Sequence, residues 1–597
     1  EFQTLLKRLE IKEEKPLKVK EPVSLKIVKI QSEQELNNWV DKIIKKGEVG
    51  ISIQTEGGIL DGGVLSLTIG LSENEIGFVP LDGFNKAFFT PTLNQLLTSK
   101  DVIKIIYDLK NIYHFLSNSD IELTPPFFDV LLASYLLHPD RGKYSFNSLI
   151  EFYSGLEINK TEKEEKHDLS CSLLFPLYSY LNKELKKGNL MDVFKQIEIP
   201  LSPILAKMEK RGVRINPEIF FSLSKEIEKL LQKVEEDIYG LAGTEFNINS
   251  PQQVSKVLFE KLKLETGKKR KKAYATDFSA LIKIASSHPI IDKILTFREL
   301  SKLKTTYLDV LPGLVNKKTG RIHTDFKITG TATGRLSSVN PNLQNIPVRG
   351  RWANRIREGF IPEEGNILIS CDYSQIDLRV LAHLSGDKNL LDAFQNNLDI
   401  HVATASEVFS AKKDKVDQKM RRAAKAVNFG IVYGISPFGL AEQLKIEQDE
   451  AKEYIEKYFK RYPEVKEYIK NIIAEGYQNG FVSTLFGRRR YLPQLKSANE
   501  KIKNFGERLA VNSPIQGTSA DLIKMAMIEI FKKFKKEMLK AEMILQVHDE
   551  LIFESPLEEK KKVIKITKEV MEKIYPLKSG LSVSVSSGNN WAELSKK

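Results

Sequence analysis

The chain has 597 residues, a formal net charge of +13 at pH 7 and a pI of about 9.1. This length predicts about four domains of ordinary size, and the positive charge favours a polyanionic partner without naming it. The two cysteines, Cys171 and Cys371, form neither a zinc-binding pattern nor a disulfide framework. No apolar run reaches the length of a membrane span and no signal peptide opens the sequence, so we expect an intracellular protein that does not enter membranes.

The N-terminal part predicts a charged lead-in and then an α/β domain. Residues 1–25 are charged, and their segment rich in Lys, Glu and Pro is typical of a linker. Residues 26–190 combine short apolar runs with helical stretches, as an α/β fold requires. The predicted strands are 25–30, 49–53, 63–72 and 76–80, and one predicted helix is 128–137.

The sequence then becomes strongly helical. The Asn-Pro pair at 216–217 predicts a helix start, since Asn caps a helix and proline fits its first position. Apolar residues at helical spacing continue to Ile238. Ser250 and Gln253 have the spacing of a capping box, which predicts a second helix start. The lysine-rich segment GKKRKK, 267–272, is expected to form an exposed loop.

The stretch 366–384, NILISCDYSQIDLRVLAHL, predicts a carboxylate at the end of a buried strand. Its apolar run 367–369 indicates the strand, and apolar spacing after Ser374 indicates a helix. Asp372 lies between these two elements. A helix N-cap is the commoner explanation for one such aspartate alone.

A second apolar run, MILQVHDELIF at 543–553, is interrupted by His548, Asp549 and Glu550. Two strands that end or bend at aspartates can place Asp372 and Asp549 on one sheet. The two carboxylates would then lie close enough to share divalent metal ions.

The segment RRAAKAVNFGIVYG, 421–434, predicts a helix with functional side chains every four residues. Arg421, Lys425, Phe429 and Tyr433 would lie near one face and extend over roughly 18 Å, at about 1.5 Å per residue. Two cations for phosphates, followed by two aromatic rings for a base, suit a nucleoside triphosphate. A solvated basic turn leading into core aromatics is the alternative for this helix alone, and the two aspartates argue against it.

Five motifs in order resemble those of the family A DNA polymerases. DYSQIDLR (372–379), RRAAKAVNFGIVYG and QVHDE (546–550) resemble motifs A, B and C, and TATGRLSSVNPNLQNIP (331–347) and NSPIQGTSADL (512–522) resemble two further segments. The likeness extends over nearly the whole chain and is strongest to the large, Klenow-type fragment of the bacterial members. It implies a multidomain protein of α/β and α+β class, in which a ribonuclease-H-like 3′–5′ exonuclease-type domain precedes a right-hand polymerase of palm, fingers and thumb.

The same resemblance implies the domain bounds. The exonuclease-type domain would cover 26–190 and the polymerase domain 191–597. Within the polymerase domain, we expect the thumb at about 196–302, the palm at about 303–398 and 499–597, and the fingers at about 399–498. The lysine-rich loop would lie at the thumb tip and contact duplex phosphates.

The resemblance also assigns roles residue by residue. Asp372 and Asp549, with the backbone carbonyl of Tyr373, would hold two Mg²⁺ ions, which Mn²⁺ can replace. Glu550 would lie next to these ligands without binding the metal ions directly. Lys425 is the candidate proton donor to pyrophosphate. The implied nucleotide-binding residues are Arg421, Lys425, Phe429, Tyr433, His401, Gln375 and Asp377. The implied contacts to primer-template DNA are Arg335, Asn342, Asn345, Gln516, His548 and Arg508.

The exonuclease-type domain departs from the family pattern. Positions that carry metal-binding carboxylates in the family fall here on Ser52, Gln54 and Ile112, and a further one falls near Cys171. A hydroxyl and an amide cannot replace anionic ligands for hard cations, so this domain is expected to fold without cutting DNA. Asp129 matches an acid that lies outside the family's metal site.

Motif A also departs from the family pattern, because Asp377 stands where the family usually has Glu. That Glu is the steric gate that excludes a ribose 2′-hydroxyl. Asp is shorter by one carbon–carbon bond, about 1.5 Å, so we expect weaker sugar discrimination. A compensating shift of the nearby backbone is the alternative.

We therefore expect a monomeric DNA polymerase of the bacterial nucleoid, in the cytoplasm, that serves replication or repair and uses primer-template DNA and deoxynucleoside triphosphates. A family A enzyme that copies RNA templates is an alternative that the sequence leaves open. A non-catalytic DNA-clamping protein is a third interpretation. The intact Asp372, Asp549, Arg421 and Lys425 argue against it.

Overall fold

A computed structural model describes residues 25–58, 60–81, 83–154, 163–264, 269–270, 273–348 and 350–594. Nearly all of the predicted lead-in and most of the lysine-rich loop lie outside these residues. None of the helices in the described ranges is long and apolar enough to cross a membrane.

The N-terminal part contains a mixed six-stranded sheet with helices packed against it. Numbered along the chain, its strands lie in the order first, fourth, third, second, fifth, sixth. The strands are Lys26–Lys29, Glu48–Glu56, Gly63–Ser72, Glu75–Pro80, Ile103–Ile106 and Phe127–Asp129. The helices are Glu33–Lys46, Gly83–Thr98, Leu109–Leu116, Val130–Leu137, Phe146–Ser154 and Lys163–Lys187. The four predicted strands are confirmed, whereas the predicted helix 128–137 begins only at Val130, because Phe127–Asp129 complete the sixth strand beside Ile103–Ile106.

Two long helices, Pro217–Ala242 and Pro289–Leu303, pack together in the next part of the chain. The Asn216 side chain accepts the Glu218 N–H and caps the first helix, as predicted. The predicted capping box is half right. Ser250 accepts the Gln253 N–H, but the Gln253 side chain accepts the N–H of Asn247 at 2.8 Å instead of closing the box. Other helical elements here are Met191–Val193, Phe194–Glu198, Ile199–Arg211, Pro251–Ser255, Lys256–Lys261, Phe278–Lys283, Ala285–Ser287 and Lys304–Leu308.

An antiparallel four-stranded sheet organises the C-terminal half. In spatial order its strands are Glu542–Val547, Glu550–Pro556, Asn366–Tyr373 and Val583–Gly588. Asn366–Tyr373 is an inner strand, and its residues from Ile367 to Cys371 are all buried. The predicted run 543–553 is split into two strands, because His548 adopts a left-handed φ of 53° at the turn between them. This turn carries Asp549.

Helices and short hairpins surround this sheet. The helices are Arg351–Glu358, Ile376–Ser385, Lys388–Gln395, Ile400–Val408, Gln418–Val432, Pro437–Leu444, Gln448–Arg461, Pro463–Asn479, Glu500–Lys536, Lys560–Lys573 and Trp591–Leu594. The two-stranded pairs are Val213–Arg214 with Arg321–Ile322, Lys269–Arg270 with Ala273–Tyr274, Asp325–Lys327 with Ser337–Val339, and Phe481–Ser483 with Arg489–Tyr491. Glu500–Lys536, hereafter the long helix, is largely buried from Ala510 to Ile530.

A buried charge network of Glu198, Arg488, Asp521 and Lys524 joins distant parts of the chain. Arg488 donates to Asp521 Oδ1 from Nε at 3.0 Å and from Nη2 at 2.7 Å, and Nη2 also donates to Glu198. Lys524 Nζ donates to both carboxylate oxygens of Glu198, at 2.8 and 3.0 Å. The four side chains are at most 3% exposed. Two acids and two bases make the network electrically balanced, which buried charges require.

Candidate active site

Strand register brings the two predicted metal-binding aspartates together. Asp372 is paired with Glu550 across neighbouring strands, and the backbone N–H of Tyr373 donates to the carbonyl of Asp549 at 3.1 Å. Asp372 and Asp549 therefore lie at the same end of the four-stranded sheet. Helix Ile376–Ser385 begins immediately beyond, so the sheet end is also a strand-to-helix junction.

Asp549 is the most perturbed acid of the site. Its Oδ1 is buried and has no hydrogen-bond partner in the described part of the chain; the nearest cation, Arg335 Nη2, is 3.7 Å away. Burial raises the pKa of Asp549 to about 7, and the carboxylates of Asp377 and Asp372 act in the same direction. A half-buried carboxylate with one buried, unpartnered oxygen beside other carboxylates fits a cation-binding site.

The donor set suits Mg²⁺, which binds through one or two carboxylates and keeps water or substrate phosphate oxygens for its other positions. Asp372 and Asp549 could supply those carboxylates, and the Tyr373 N–H, which pairs with the Asp549 carbonyl, holds the two segments side by side. Glu550 accepts a hydrogen bond from the Ser370 hydroxyl. Across the described ranges, no group of three or more His, Cys, Asp or Glu side chains is arranged to hold a metal by itself. A metal bound here would complete its coordination with water or substrate oxygens.

Helix Gln418–Val432 carries the predicted nucleotide-binding side chains. Asp417 caps it by accepting the Met420 N–H at 2.7 Å. Lys425 Nζ lies 5.8 Å from the centre of the Phe429 ring, and the rings of Phe429 and Tyr433 stack at 6.5 Å with 18° between their planes. The helix contains Phe429 but ends at Val432, one residue before Tyr433, which is its C-cap.

Arg421 is oriented by an acid from the preceding helix. Its Nε and Nη2 both lie 2.8 Å from Asp399 Oδ2. The same Asp399 side chain caps helix Ile400–Val408 by accepting the N–H groups of His401 and Val402. Sequence reasoning missed Asp399, although an N-cap Asp before a helix is a readable signal.

His401 is buried between two amides. Its Nδ1 lies 3.0 Å from Asn428 Nδ2, and its Nε2 lies 3.3 Å from Gln375 Nε2. Burial lowers the pKa of His401 to about 4 despite the nearby Asp399 carboxylate. The ring is therefore neutral at pH 7, and a phosphate contact from His401 would be made without a charge.

Asp377 lies 4% exposed beneath the site. Its Oδ1 accepts a hydrogen bond from Ser519 Oγ at 2.6 Å, and its Oδ2 accepts one from Arg335 Nη2 at 3.4 Å. The Tyr433 hydroxyl forms a side-chain hydrogen bond with Gln516. Ser519 was missed by sequence reasoning, although it follows Gln516 by three residues on the same helix and so shares its face.

The predicted DNA-contacting residues surround the same end of the sheet. His548 is exposed at the strand turn, and Arg508 lines a cavity of about 530 Å³ together with Phe429 and Tyr433. Asn342 uses its side-chain oxygen to accept the Gln344 N–H at 3.0 Å. The turn Leu343–Asn345 that follows carries the other predicted asparagine.

Neutral side chains occupy the positions aligned with the family's exonuclease metal site. Ser52 and Gln54 lie on strand Glu48–Glu56, and Gln54 Oε1 accepts the Ser66 hydroxyl at 3.1 Å. Ile112 is buried, and the buried Cys171 thiol donates to the Gly50 carbonyl at 3.3 Å. None of these groups is an anionic ligand.

Two nearby acids, Asp108 and Asp129, serve as helix caps. Asp108 accepts the N–H of Asn111 at 3.1 Å, and Asp129 accepts those of Leu131 and Leu109 at 2.8 Å each. Burial raises the pKa of Asp129 to about 7, with the Asp108 carboxylate adding to the effect. Both acids are committed to backbone groups.

Comparisons with known proteins agree with the motif order. A family model described as DNA polymerase family A matches residues 218–593, and one described as 3′–5′ exonuclease matches residues 27–185. The chain is 47% identical over 506 residues to DNA polymerase I from Caldicellulosiruptor bescii, and this match covers 84% of this chain and 59% of that protein. It is 45% identical over 469 residues to the thermostable DNA polymerase I of Thermus aquaticus, covering 78% of this chain and 55% of that protein. The chain thus spans a little over half the length of these curated relatives.

A solved structure shares the fold over nearly the whole chain. The POL domain of Pol1 from M. smegmatis, in complex with DNA primer-template and dNTP, matches with a TM-score of 0.90 at 33% identity. The match covers 95% of this chain and 100% of that one. The predicted fold, an exonuclease-type domain followed by a polymerase domain, is confirmed. Because the polymerase family model covers well over half of the residues, this chain belongs to DNA polymerase family A.

Proposed function

We propose that this chain is a DNA-templated DNA polymerase that adds deoxynucleotides to a primer 3′ end by metal-assisted phosphoryl transfer. The observation that carries the proposal is the strand register, which holds Asp372 and Asp549 at one sheet end through the Tyr373–Asp549 backbone hydrogen bond. The solved relative from M. smegmatis was captured with DNA primer-template and dNTP, the same classes of ligand.

Asp372, Asp549 and the Tyr373 carbonyl would hold two Mg²⁺ ions, or Mn²⁺ in their place. Bound there, such ions lower the pKa of the attacking hydroxyl and neutralise the charge of the leaving pyrophosphate. The buried, partner-poor Oδ1 of Asp549 supports this assignment. So does its position close to Arg335 and not in direct contact with that cation.

The protein's own residues would position the triphosphate. Phosphoryl transfer depends on positioning and charge more than on covalent chemistry from the protein. Arg421, oriented by Asp399, and Lys425, one helical turn further, would bind the phosphates, and Lys425 would donate a proton to pyrophosphate. Phe429 would pack on the sugar and base. Tyr433, stacked beside it, would occupy the template-base position until the helix moves.

The remaining assignments of the proposal concern domains and proofreading. The helix pair Pro217–Ala242 and Pro289–Leu303 would form the thumb, and Gln418–Val432 would belong to the fingers. The N-terminal domain would not proofread, because Ser52, Gln54 and Ile112 supply no carboxylate and the acids Asp108 and Asp129 cap helices. We further propose that the polymerase works as a monomer.

The test is primer extension by Asp372→Ala and Asp549→Ala, with Asp392→Ala as the control. Asp392 is an exposed acid on helix Lys388–Gln395. Each active-site variant should lose on the order of 10³-fold in extension rate, since bound metal ions contribute several kcal/mol to catalysis. Fluorescence anisotropy with labelled primer-template should show DNA binding close to normal in all three variants.

Three outcomes separate the interpretations. Near-normal extension by Asp372→Ala or Asp549→Ala would contradict the assignment of these residues as metal ligands. Tight DNA binding without extension by the unmodified protein would favour a clamping protein. Comparable extension on RNA and DNA templates would favour a polymerase with relaxed template choice.

A further inference from the structure

The Asp377 carboxylate is held from two sides, and the serine on the long helix is the closer partner. Ser519 is fully buried, and its Oγ lies 2.6 Å from Asp377 Oδ1. That separation is within the range of hydrogen bonds from a hydroxyl to a carboxylate, which are about twice as strong as neutral ones. Arg335 is at 3.4 Å, the outer limit of a hydrogen bond.

The Ser519 hydroxyl has one proton and two acceptors within reach. Ser519 Oγ is 3.0 Å from the carbonyl of Ile515, one turn earlier in the helix. A helical serine ordinarily donates to that carbonyl. Here the carboxylate is closer and charged, so the proton is donated to Asp377. The long helix is packed on both sides of this residue, with Thr518 and Ala520 buried, and the hydroxyl is therefore fixed in space.

We propose that Ser519 is a positioning residue for sugar selection: it fixes the Asp377 carboxylate as a rigid wall beneath the nucleotide sugar. The proposal rests on the proposed polymerase function. Asp377 has lost one methylene of reach compared with glutamate, so its power to exclude a 2′-hydroxyl depends on being immobile. Without Ser519, the one side-chain hydrogen bond that the described residues leave to the Asp377 carboxylate is the long contact to Arg335, which also faces Asp549. If the Asp377 carboxylate could rotate toward Arg335, it would leave room for the ribose 2′-hydroxyl.

Ser519→Ala should therefore lower discrimination against ribonucleotides by roughly tenfold, the scale of one hydrogen bond to a charged group. The measured quantity is kcat/KM for one deoxynucleotide divided by kcat/KM for the matching ribonucleotide, on one primer-template. The fall should come from faster ribonucleotide use, with deoxynucleotide kcat/KM nearly unchanged. Ser513→Ala is the matched control, because Ser513 is a buried serine of the same helix that donates at 2.6 Å to the Leu509 carbonyl.

A double-mutant cycle separates positioning from a general effect on packing. In an Asp377→Ala background, Ser519→Ala should change the selectivity ratio no further, because its partner is gone. A second tenfold fall in that background would overturn the proposal. So would a selectivity ratio in Ser519→Ala equal to that of the unmodified protein.

The polymerase function can fail separately. If the unmodified protein incorporates deoxynucleotides but Ser519→Ala leaves the ratio unchanged, only the role of Ser519 is wrong. If the unmodified protein incorporates no deoxynucleotide at all, the proposed function falls, and the inference falls with it.

Discussion

Replacing Arg488 by methionine should destabilise the protein, because Arg488 is the cation that joins both acids of the buried charge network. In Arg488→Met, Glu198 still has the Lys524 cation as a partner. Asp521 loses its cation and retains a hydrogen bond from the uncharged Thr484 hydroxyl at 3.1 Å. The network changes from neutral to one net negative charge in a fully buried site. Removing one partner of a buried ion pair costs about 3–5 kcal/mol. For a cooperative unit of about 400 residues, the size of the proposed polymerase domain, this corresponds to a fall in Tm of about 4–6 °C, at about 2.1 cal/mol/K of unfolding entropy per residue.

The loss of the Arg488 side chain should also destabilise the active site. A side chain built on Gly334 would come within 2.6 Å of Arg488 Nε, so Arg488 packs directly under the loop that carries Arg335. We therefore expect the primer-extension activity of Arg488→Met to decay with a shorter half-life when the protein is incubated just below the new Tm. At 25 °C, where the fold remains populated, the extension rate should change little.

Calorimetric melting of Arg488→Met beside Arg489→Met measures the effect. Arg489 lies on the same hairpin, but its guanidinium is only half-buried and lies over the Phe481 ring at 4.2 Å. The control should stay within about 1 °C, as expected for surface substitutions. Equal Tm values for the two variants would refute the reasoning that an uncompensated buried charge sets the cost.

Three further predictions concern the chemistry. Phe429→Tyr should improve the use of dideoxynucleotides at least about tenfold in single-turnover incorporation, because a phenol can replace the missing 3′-hydroxyl as a hydrogen-bonding group; equal use of deoxy and dideoxy substrates by the unmodified protein would contradict this. A labelled mismatched primer should stay intact with Mg²⁺ and no nucleotides, and its degradation at proofreading rates would point to Glu56 or Asp108 as ligands that the alignment missed. Asp377→Glu should raise discrimination against ribonucleotides by about tenfold, the effect of one methylene in a binding pocket. If the selectivity ratio does not rise, Asp377 is not a relaxed gate.

Local sequence signals predicted the parts of the site that depend on one segment. The apolar run before Asp372 and the four-residue recurrence of Arg421, Lys425 and Phe429 each encode their own element, and both elements form as expected. The run 543–553 was harder, because the polar residues at 548–550 indicate a break without showing whether the strand bends or ends there. In the structure the strand ends at a turn in which His548 has a left-handed backbone.

Contacts between distant segments were not predictable in this way. Ser519 and Asp377 are 142 residues apart, and the Arg488–Glu198 pair spans 290 residues. Nothing in the spacing of either segment indicates the other, since such contacts depend on how whole elements pack. Gln253 shows the same limit at short range. It has the spacing of a capping box, yet the incoming chain presents the Asn247 N–H first.

The backbone hydrogen bond between Tyr373 and Asp549 has a consequence for laboratory evolution of this protein. Main-chain pairing sets the distance between the two aspartates, so substitutions at 367–371 can remodel packing without moving the chemistry. Deleting one residue from that strand is a different kind of change. It would shift the pairing by one position and turn the Asp372 side chain to the opposite face of the sheet. Mutant libraries should therefore tolerate apolar replacements of similar size in this buried strand and almost no change in its length.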